Sequence, residues 1–586
     1  MPPKKRARLK KTWQEIARKA QDHRDASLNG QLNGADEALE ELEHAKQRSS
    51  NAITITHNLP NLISREVLEI TGIHPCRLST FLSAGYRKTE DVMSAFCQMA
   101  AVAQKSVNCL TELLSSRAMV RAVELDKQFA ITGRPVGPLH GIPVSVKSHI
   151  GVQGCQMAAG YVAWWDSREH RASKDALVVQ ILERAGAIVH ARTTEPQSMM
   201  QLECVSNLYG TTVNPHNTNL SSGGSSGGEA ALLAMRGSVI GVGSDVGGSI
   251  RVPAAACGIY GLKPTAFRVP TTGWSSTPPG ADPIPTVIGP MSICLDKIED
   301  FMKTVLAAEP WKVEPALIPL PWRDVEINPT PEQPLRIGVA LHDNVVLPHP
   351  PILEAMQKFI DKIGALPNVE VVKFPLYKFD EAWAIASSLY FTDGGAADRK
   401  VMEESEEPML PLVRWMLEEN PGVKNLTREE LEYWLEEREE YRLEYAERWN
   451  QTGFWDEAEG QWSNTVDALI CPVAPGVASI HNTAKYWAYS AVWNLLDYPA
   501  LAFPLRNVDK NRDLVEHRDD FLSPQDQAHW ELYDPEVFHG VPVGLQIVGR
   551  RLEDEKIVAI LNHFRSHECL LVVPQFYEHE EGTPSS

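Results

Sequence analysis

The sequence predicts an α/β fold built as one large domain. Three observations carry that expectation. Strand-like and helix-like periodicities alternate from about residue 133 onward. The chain has 586 residues, enough for a large core. Its composition, 43% hydrophobic and 23% charged, is that of an ordinary globular protein. No internal repeat and no clear linker divides it.

Residues 1–130 read as mostly helical, packing on the core. Within them Val92 to Val120 is rich in Ala, Leu and Met and has few breakers, so it is expected to be helix throughout. Gly133 to Gly137 is a turn cluster. Ile142 to Lys147 then alternates as a strand, with Ile142, Val144 and Val146 on one face and Ser145 and Lys147 on the other. Asp175 to Ala185 reads as helix and Ala187 to Ala191 as the next strand. Asn214 to Gly228 is polar and glycine-rich, hence a loop, followed by a short helix from Glu229 to Arg236 that Gly237 closes. Ser238 to Val242 is a strand, Gly247 and Gly248 form a tight turn, and Ser249 opens another helix with Pro253 near its first turn. Leu335 to Ala340, Ile352 to Ile363 and Val369 to Lys373 repeat the strand–helix–strand order. Arg428 to Trp449 is a charged helix with apolar positions at helical spacing. Ala468 to Cys471 and Val543 to Val548 read as buried strands, and Asn507 to Pro535 as a polar surface excursion. Residues 131–320 and 321–586 are taken as parts of the same domain.

Charge and cysteine content narrow the function. The formal net charge of -20 disfavours nucleic acid and anionic membranes as partners. No run reaches the roughly 18 apolar residues of a membrane span, and no apolar stretch follows the basic start to make a secretory signal. The nine cysteines contain no C-x-x-C pair and read as reduced core residues of a cytoplasmic protein. Lys4 to Lys11 matches a nuclear-import patch, but also the basic, frayed start of a helix. The chain leaves open whether it forms a homodimer.

The glycine-rich loop Gly223 to Gly228 admits three chemistries. A phosphate cradle would end in Gly-Lys-Ser/Thr, whereas Glu229 follows here and repels phosphate. Gly224-Ser-Ser-Gly-Gly228 satisfies G-x-S-x-G, but the elbow of an α/β-hydrolase needs a strand running into the serine, and Val213 to Ser222 is a polar turn-former's composition. The third reading joins three stretches: Gly141 to Lys147, Gly223 to Gly228, and Ser244 to Arg251. A neutral lysine can draw a proton through one serine from another, giving a hydrolase that needs no metal, cofactor or catalytic histidine.

Taken together these stretches resemble the amidase signature family. The matching run is continuous from Gly223 through Pro264, and the likeness extends to Gly137–Lys147, Pro196–Met199 and Val543–Arg550. Segments such as Glu309 to Lys312 and Leu347 to Ile352 are most similar to the fungal acetamidase or general amidase branch. The resemblance implies a mixed sheet core flanked by helices on both sides. It implies Ser249 as nucleophile, Ser225 as bridging serine after a cis peptide, and Lys147 as base. The backbone amides of Val246, Gly247, Gly248 and Ser249 would hold an oxyanion, and Met199 would line the acyl side. A small-molecule amide would be the substrate, with no metal and no cofactor. Short aliphatic amides are the substrates this branch implies; longer acyl or aryl amides, esters, or work as an amidotransferase subunit are the alternatives.

The chemistry explains the residue types. A serine hydroxyl is inert at neutral pH without a base. Lysine serves only when neutral, and its free pKa is about 10.4, so Lys147 is expected in a dry pocket with no close carboxylate. Asp245 and Arg251 are expected to pin the turn as a structural ion pair. His149, Glu195 and Cys204 are read as structural, and the tryptophans at 164, 165, 462 and 493 as core side chains before pocket walls.

Overall fold

The chain's β-branched and small residues at alternating positions build a single eleven-stranded mixed sheet. In the computed structural model, residues 11–32, 35–59, 61–276, 283–515 and 517–570 are described. The basic stretch up to Lys10 lies outside them. The sheet strands are β1 (Leu110–Leu113), β2 (Pro143–Lys147), β3 (Ile188–Thr193), β4 (Ile240–Asp245), β5 (Tyr260–Lys263), β6 (Val287–Ser292), β7 (Leu335–Val339), β8 (Val369–Lys373), β9 (Ala468–Pro472), β10 (Ala500–Asn507) and β11 (Pro542–Val548). Their spatial order is β1-β3-β2-β4-β6-β5-β10-β11-β9-β7-β8. β3, β2 and β4 run parallel, as do β9, β7 and β8; the other pairings are antiparallel.

Every residue of β2, β3, β4, β6 and β11 is buried, which a sheet covered by helices on both faces requires. This departs from the sequence only in degree: Ser145 and Lys147, on the polar side of β2, are as dry as Val144 and Val146. The helices Gly227–Ala234 and Arg251–Cys257 pack on the middle of the sheet.

One expected helix is broken. The segment from Val92 to Val120 is a helix to Val107, the strand β1, and a second helix Ser115–Thr132. Asn108 ends the first helix in the left-handed region at φ 55°, a conformation asparagine tolerates well. Its amide also donates to the carbonyls of Tyr209 at 2.7 Å and Thr211 at 3.0 Å, so the break is held by contacts distant in sequence. The excursion after Asn507 is pinned rather than loose: Arg506 pairs with Asp513 and Arg518 with Asp526, both carboxylates being buried.

Candidate active site

Parallel pairing of β2 with β4 sets Val146 beside Val242 and so brings Lys147 level with Gly243, next to Ser244. Lys147 is wholly buried, and its Nζ lies 2.5 Å from Ser225 Oγ and 3.0 Å from Ser244 Oγ. The peptide between Gly224 and Ser225 is cis. Gly224 is required for packing: a Cβ there would stand 2.3 Å from the carbonyl oxygen of Glu203. The next residue, Ser226, donates its N–H to the carbonyl of Ser249 at 3.0 Å, tying the glycine-rich loop to the turn after β4. Among the described residues no hydrogen bond joins the Ser225 and Ser249 hydroxyls.

The turn carrying Ser249 is clamped by Asp245. Its carboxylate accepts from the N–H of Gly248 at 2.9 Å and of Ile250 at 3.0 Å, and from Arg251 Nη2 at 3.0 Å and Nε at 3.1 Å. Asn494 and Gln546 complete the shell around the guanidinium. Both charged groups are fully buried. Burial alone would push the Asp245 carboxyl up, but Arg251 holds it well below the usual carboxylate range. The ion pair expected from the sequence is therefore present. Gly248 sits at φ +124° with Ser490 Oγ only 2.3 Å from where a Cβ would fall. Because Asp245 takes the Gly248 N–H, this amide is not available to a ligand; those of Val246, Gly247 and Ser249 find no acceptor among the described residues. The helix begins at Arg251, two residues later than expected.

Burial brings Lys147 down from 10.5 to about 8, against the opposing charges of Glu195, Asp245 and Glu229. No carboxylate pairs directly with it among the described residues, but three lie near enough to act. Burial raises Glu229 to about 8 as well, while Ser145 and Thr193 donate to it at 2.5 and 2.7 Å. Glu195 is also pushed up by burial and accepts from Ser148 Oγ at 2.6 Å and the His149 N–H at 3.0 Å. Glu195 and Cys204 touch none of the three central side chains by hydrogen bond.

The sequence reading gave His149 a structural role and Ser244 no role of its own; the structure places Ser244 against Lys147 and His149 against Ser244. His149 Nδ1 lies 3.0 Å from the Ser275 carbonyl and Nε2 lies 2.9 Å from Ser244 Oγ. A carbonyl only accepts, so Nδ1 carries the proton. Burial, then the charge of Lys147, pushes the imidazole down to about 3, so Nε2 is an acceptor. Ser244 must donate to it and can offer Lys147 only its lone pairs. Histidine two residues after a strand lysine was the visible signal, but not its partner.

A second group missed from the sequence is aromatic. Trp383, Tyr390 and Trp415 gather around Trp487, with ring centroids 5.8 to 6.4 Å from it. Tyr390 donates its hydroxyl to the Val246 carbonyl at 2.8 Å, and the Trp487 ring lies 3.2 Å from where a Gly247 Cβ would be. Met199, at φ 61°, packs against the larger hydrophobic core that includes Trp487. Of the tryptophans singled out earlier, Trp493 is in the core beside Phe379 and Tyr445, Trp164 stacks on His170, Trp165 packs near His23, and Trp462 faces Trp455 on the exposed hairpin 454–463.

Comparison with known proteins agrees with this architecture. The amidase family model matches residues 91–558. The acetamidase of Emericella nidulans is 37% identical over 503 residues, covering 85% of this chain and 90% of its own length. The acetamidase of Aspergillus oryzae is 38% identical over 512 residues, covering 86% and 91%. Among solved structures, a fatty acid amide hydrolase superposes with a TM-score of 0.86 at 30% identity, covering 95% of both chains. A bacterial aryl acylamidase of the amidase signature enzymes, 19% identical with a TM-score of 0.64, shares the fold. The chain belongs to the amidase family and is a hydrolase of linear amide bonds.

Proposed function

We propose that the chain hydrolyses carboxylic acid amides through an acyl-enzyme on Ser249. Neutral Lys147 takes the proton of Ser225 as Ser225 takes that of Ser249, and the Ser249 oxygen attacks the amide carbon. Backbone amides at Val246, Gly247 and Ser249 face the negative charge that develops on the carbonyl oxygen. The C–N bond then breaks as the proton returns through Ser225 to the departing nitrogen. Water attacks the resulting ester by the same relay and releases the acid. The observation that carries this reading is the 2.5 Å contact between a dry lysine and Ser225.

The hydrogen-bond directions favour the base role. Ser244 consumes one N–H of the neutral amine, which leaves the lone pair to turn towards Ser225. The similarity to two acetamidases supports small aliphatic amides as substrates. A second reading, longer or aromatic acyl groups, is favoured by Tyr390 and Trp487 beside Gly247, with Trp383 and Trp415 packed around Trp487.

The test is ammonia release from purified protein across amides of increasing acyl length, with a fluorophosphonate probe to trap the nucleophile. Ser249→Ala is expected to abolish both turnover and labelling. Appreciable turnover by the pure variant would overturn the assignment. Glutaminase activity that appears only with added subunits would favour an amidotransferase instead.

A further inference from the structure

A second cluster of reactive side chains lies away from these serines. The donor atoms of His74, Cys76 and Cys294 all fall within 4.8 Å of one another. The two sulfurs are 3.4 Å apart, and Asp296 Oδ2 stands 3.1 Å from Cys76 Sγ and 3.5 Å from Cys294 Sγ. Cys76 is in the first turn of the helix Pro75–Ser83, and Cys294 caps the helix Leu295–Ala307. Both thiols therefore sit at the N-terminal ends of helices.

We propose that His74, Cys76 and Cys294 form a structural site for a soft divalent cation of the zinc class, with Asp296 closing its fourth side. Zn–S bonds of about 2.3 Å in a tetrahedron place two sulfurs about 3.8 Å apart. The observed separation needs only a small opening to reach that, whereas a disulfide needs closure to about 2.05 Å. Two thiolates, an imidazole and a carboxylate are a donor set matched to this metal. Arg565 orients Asp296 through Nη1 at 2.8 Å and Nη2 at 2.6 Å, an outer partner of the kind metal ligands require. Binding exchanges two thiol protons for the dication, so the two protons leave to solvent and the charges of the thiolates and the metal cancel.

The placement defines the role. The site joins residues 218 positions apart, next to a second link between the same two helices made by Lys297 and Ser79 at 2.8 Å. It therefore staples the helix Pro75–Ser83 to the helix Leu295–Ala307 that follows β6. Gly241 pairs with Met291 and Asp245 with Val287, so Cys294 follows the end of β6 opposite the one beside the Ser249 turn. A metal there stabilises the fold without entering the reaction.

The experiment is cobalt(II) titration of the reduced, chelator-stripped full chain, followed by thiolate-to-cobalt charge-transfer absorption. The expected result is saturation at one equivalent, loss of the band in Cys76→Ser and Cys294→Ser, weakening in His74→Ala, and no change in Cys97→Ser. Zinc should displace cobalt and raise the unfolding temperature by about 3–5 °C. Should Cys294→Ser not fold, the half-buried Cys76→Ser and His74→Ala decide. Absence of the band, a band indifferent to these variants, or a Cys76–Cys294 disulfide in place of metal binding would overturn the proposal. Amide hydrolysis should be the same with and without metal, so this outcome is independent of the mechanism at Ser249.

Discussion

His149 and Ser244 share a hydrogen bond of 2.9 Å, and Ser244 stands 3.0 Å from the Lys147 amine. On the proposed mechanism the imidazole would act on the lysine at one remove, as a positioning group. Removing it frees Ser244 to rotate and lets the lysine lone pair wander from Ser225. His149→Ala and Ser244→Ala should each lower kcat by about 10- to 100-fold with little change in KM, the usual size of effect for a group that orients an active one. His149→Ala should also admit water and move the pH–rate profile to higher pH. A fall in KM-dependent terms alone, with the profile unmoved, would leave His149 a mere packing residue.

The pH dependence has a defined sign. Burial lowers Lys147 to about 8, and only its neutral form accepts a proton. Activity should therefore rise about tenfold per pH unit below 8 and level off above it. Lys147→Ala should lose acyl-enzyme formation at neutral pH and regain some at high pH. A rate that falls as pH rises from 6 to 8 would contradict the base assignment.

Asp245→Asn leaves the buried Arg251 guanidinium without its counter-charge. Breaking such a pair by removing one partner costs about 3–5 kcal/mol. Denaturant unfolding should show a loss of that order, and activity should fall because one of the Gly248 and Ile250 N–H groups then faces an amide NH2 in place of a carboxylate oxygen. An unfolding midpoint within error of the parent would show that the clamp is dispensable.

Two glycines in the turn fail for different reasons. A Cβ at Gly247 would lie 3.0 Å from the Tyr390 hydroxyl, a contact Tyr390→Phe removes. Gly247→Ala should be impaired and partly rescued by Tyr390→Phe. At Gly248 a side chain meets Ser490 and a backbone conformation foreign to L-residues, so Ser490→Gly should not rescue Gly248→Ala. Comparing kcat/KM in the two pairs checks both statements.

Lys147 and the two serine loops stood out in the sequence because each lies within a short, residue-specific run. The strands from Leu335 to Lys373 were equally legible, since their periodicity is local. What the sequence hid depends on distant contacts. β1 was obscured because Asn108 breaks its helix through bonds to Tyr209 and Thr211, a hundred residues on. The partnership of His149 with Ser244 follows from the parallel pairing of β2 and β4, which no local pattern states. Tyr390 and Trp487 are drawn to Gly247 from later segments, with Trp383 and Trp415 gathered around Trp487, a grouping no local pattern states.

That division of origin has a practical consequence. The groups that would make and break bonds come from positions 147–249, while the rings beside them arrive from positions 383–487. On the proposed mechanism, the reacting groups and the rings that neighbour them are thus encoded in separate stretches of the gene. An engineer could vary the rings around Trp487 and leave residues 147–249 as they stand.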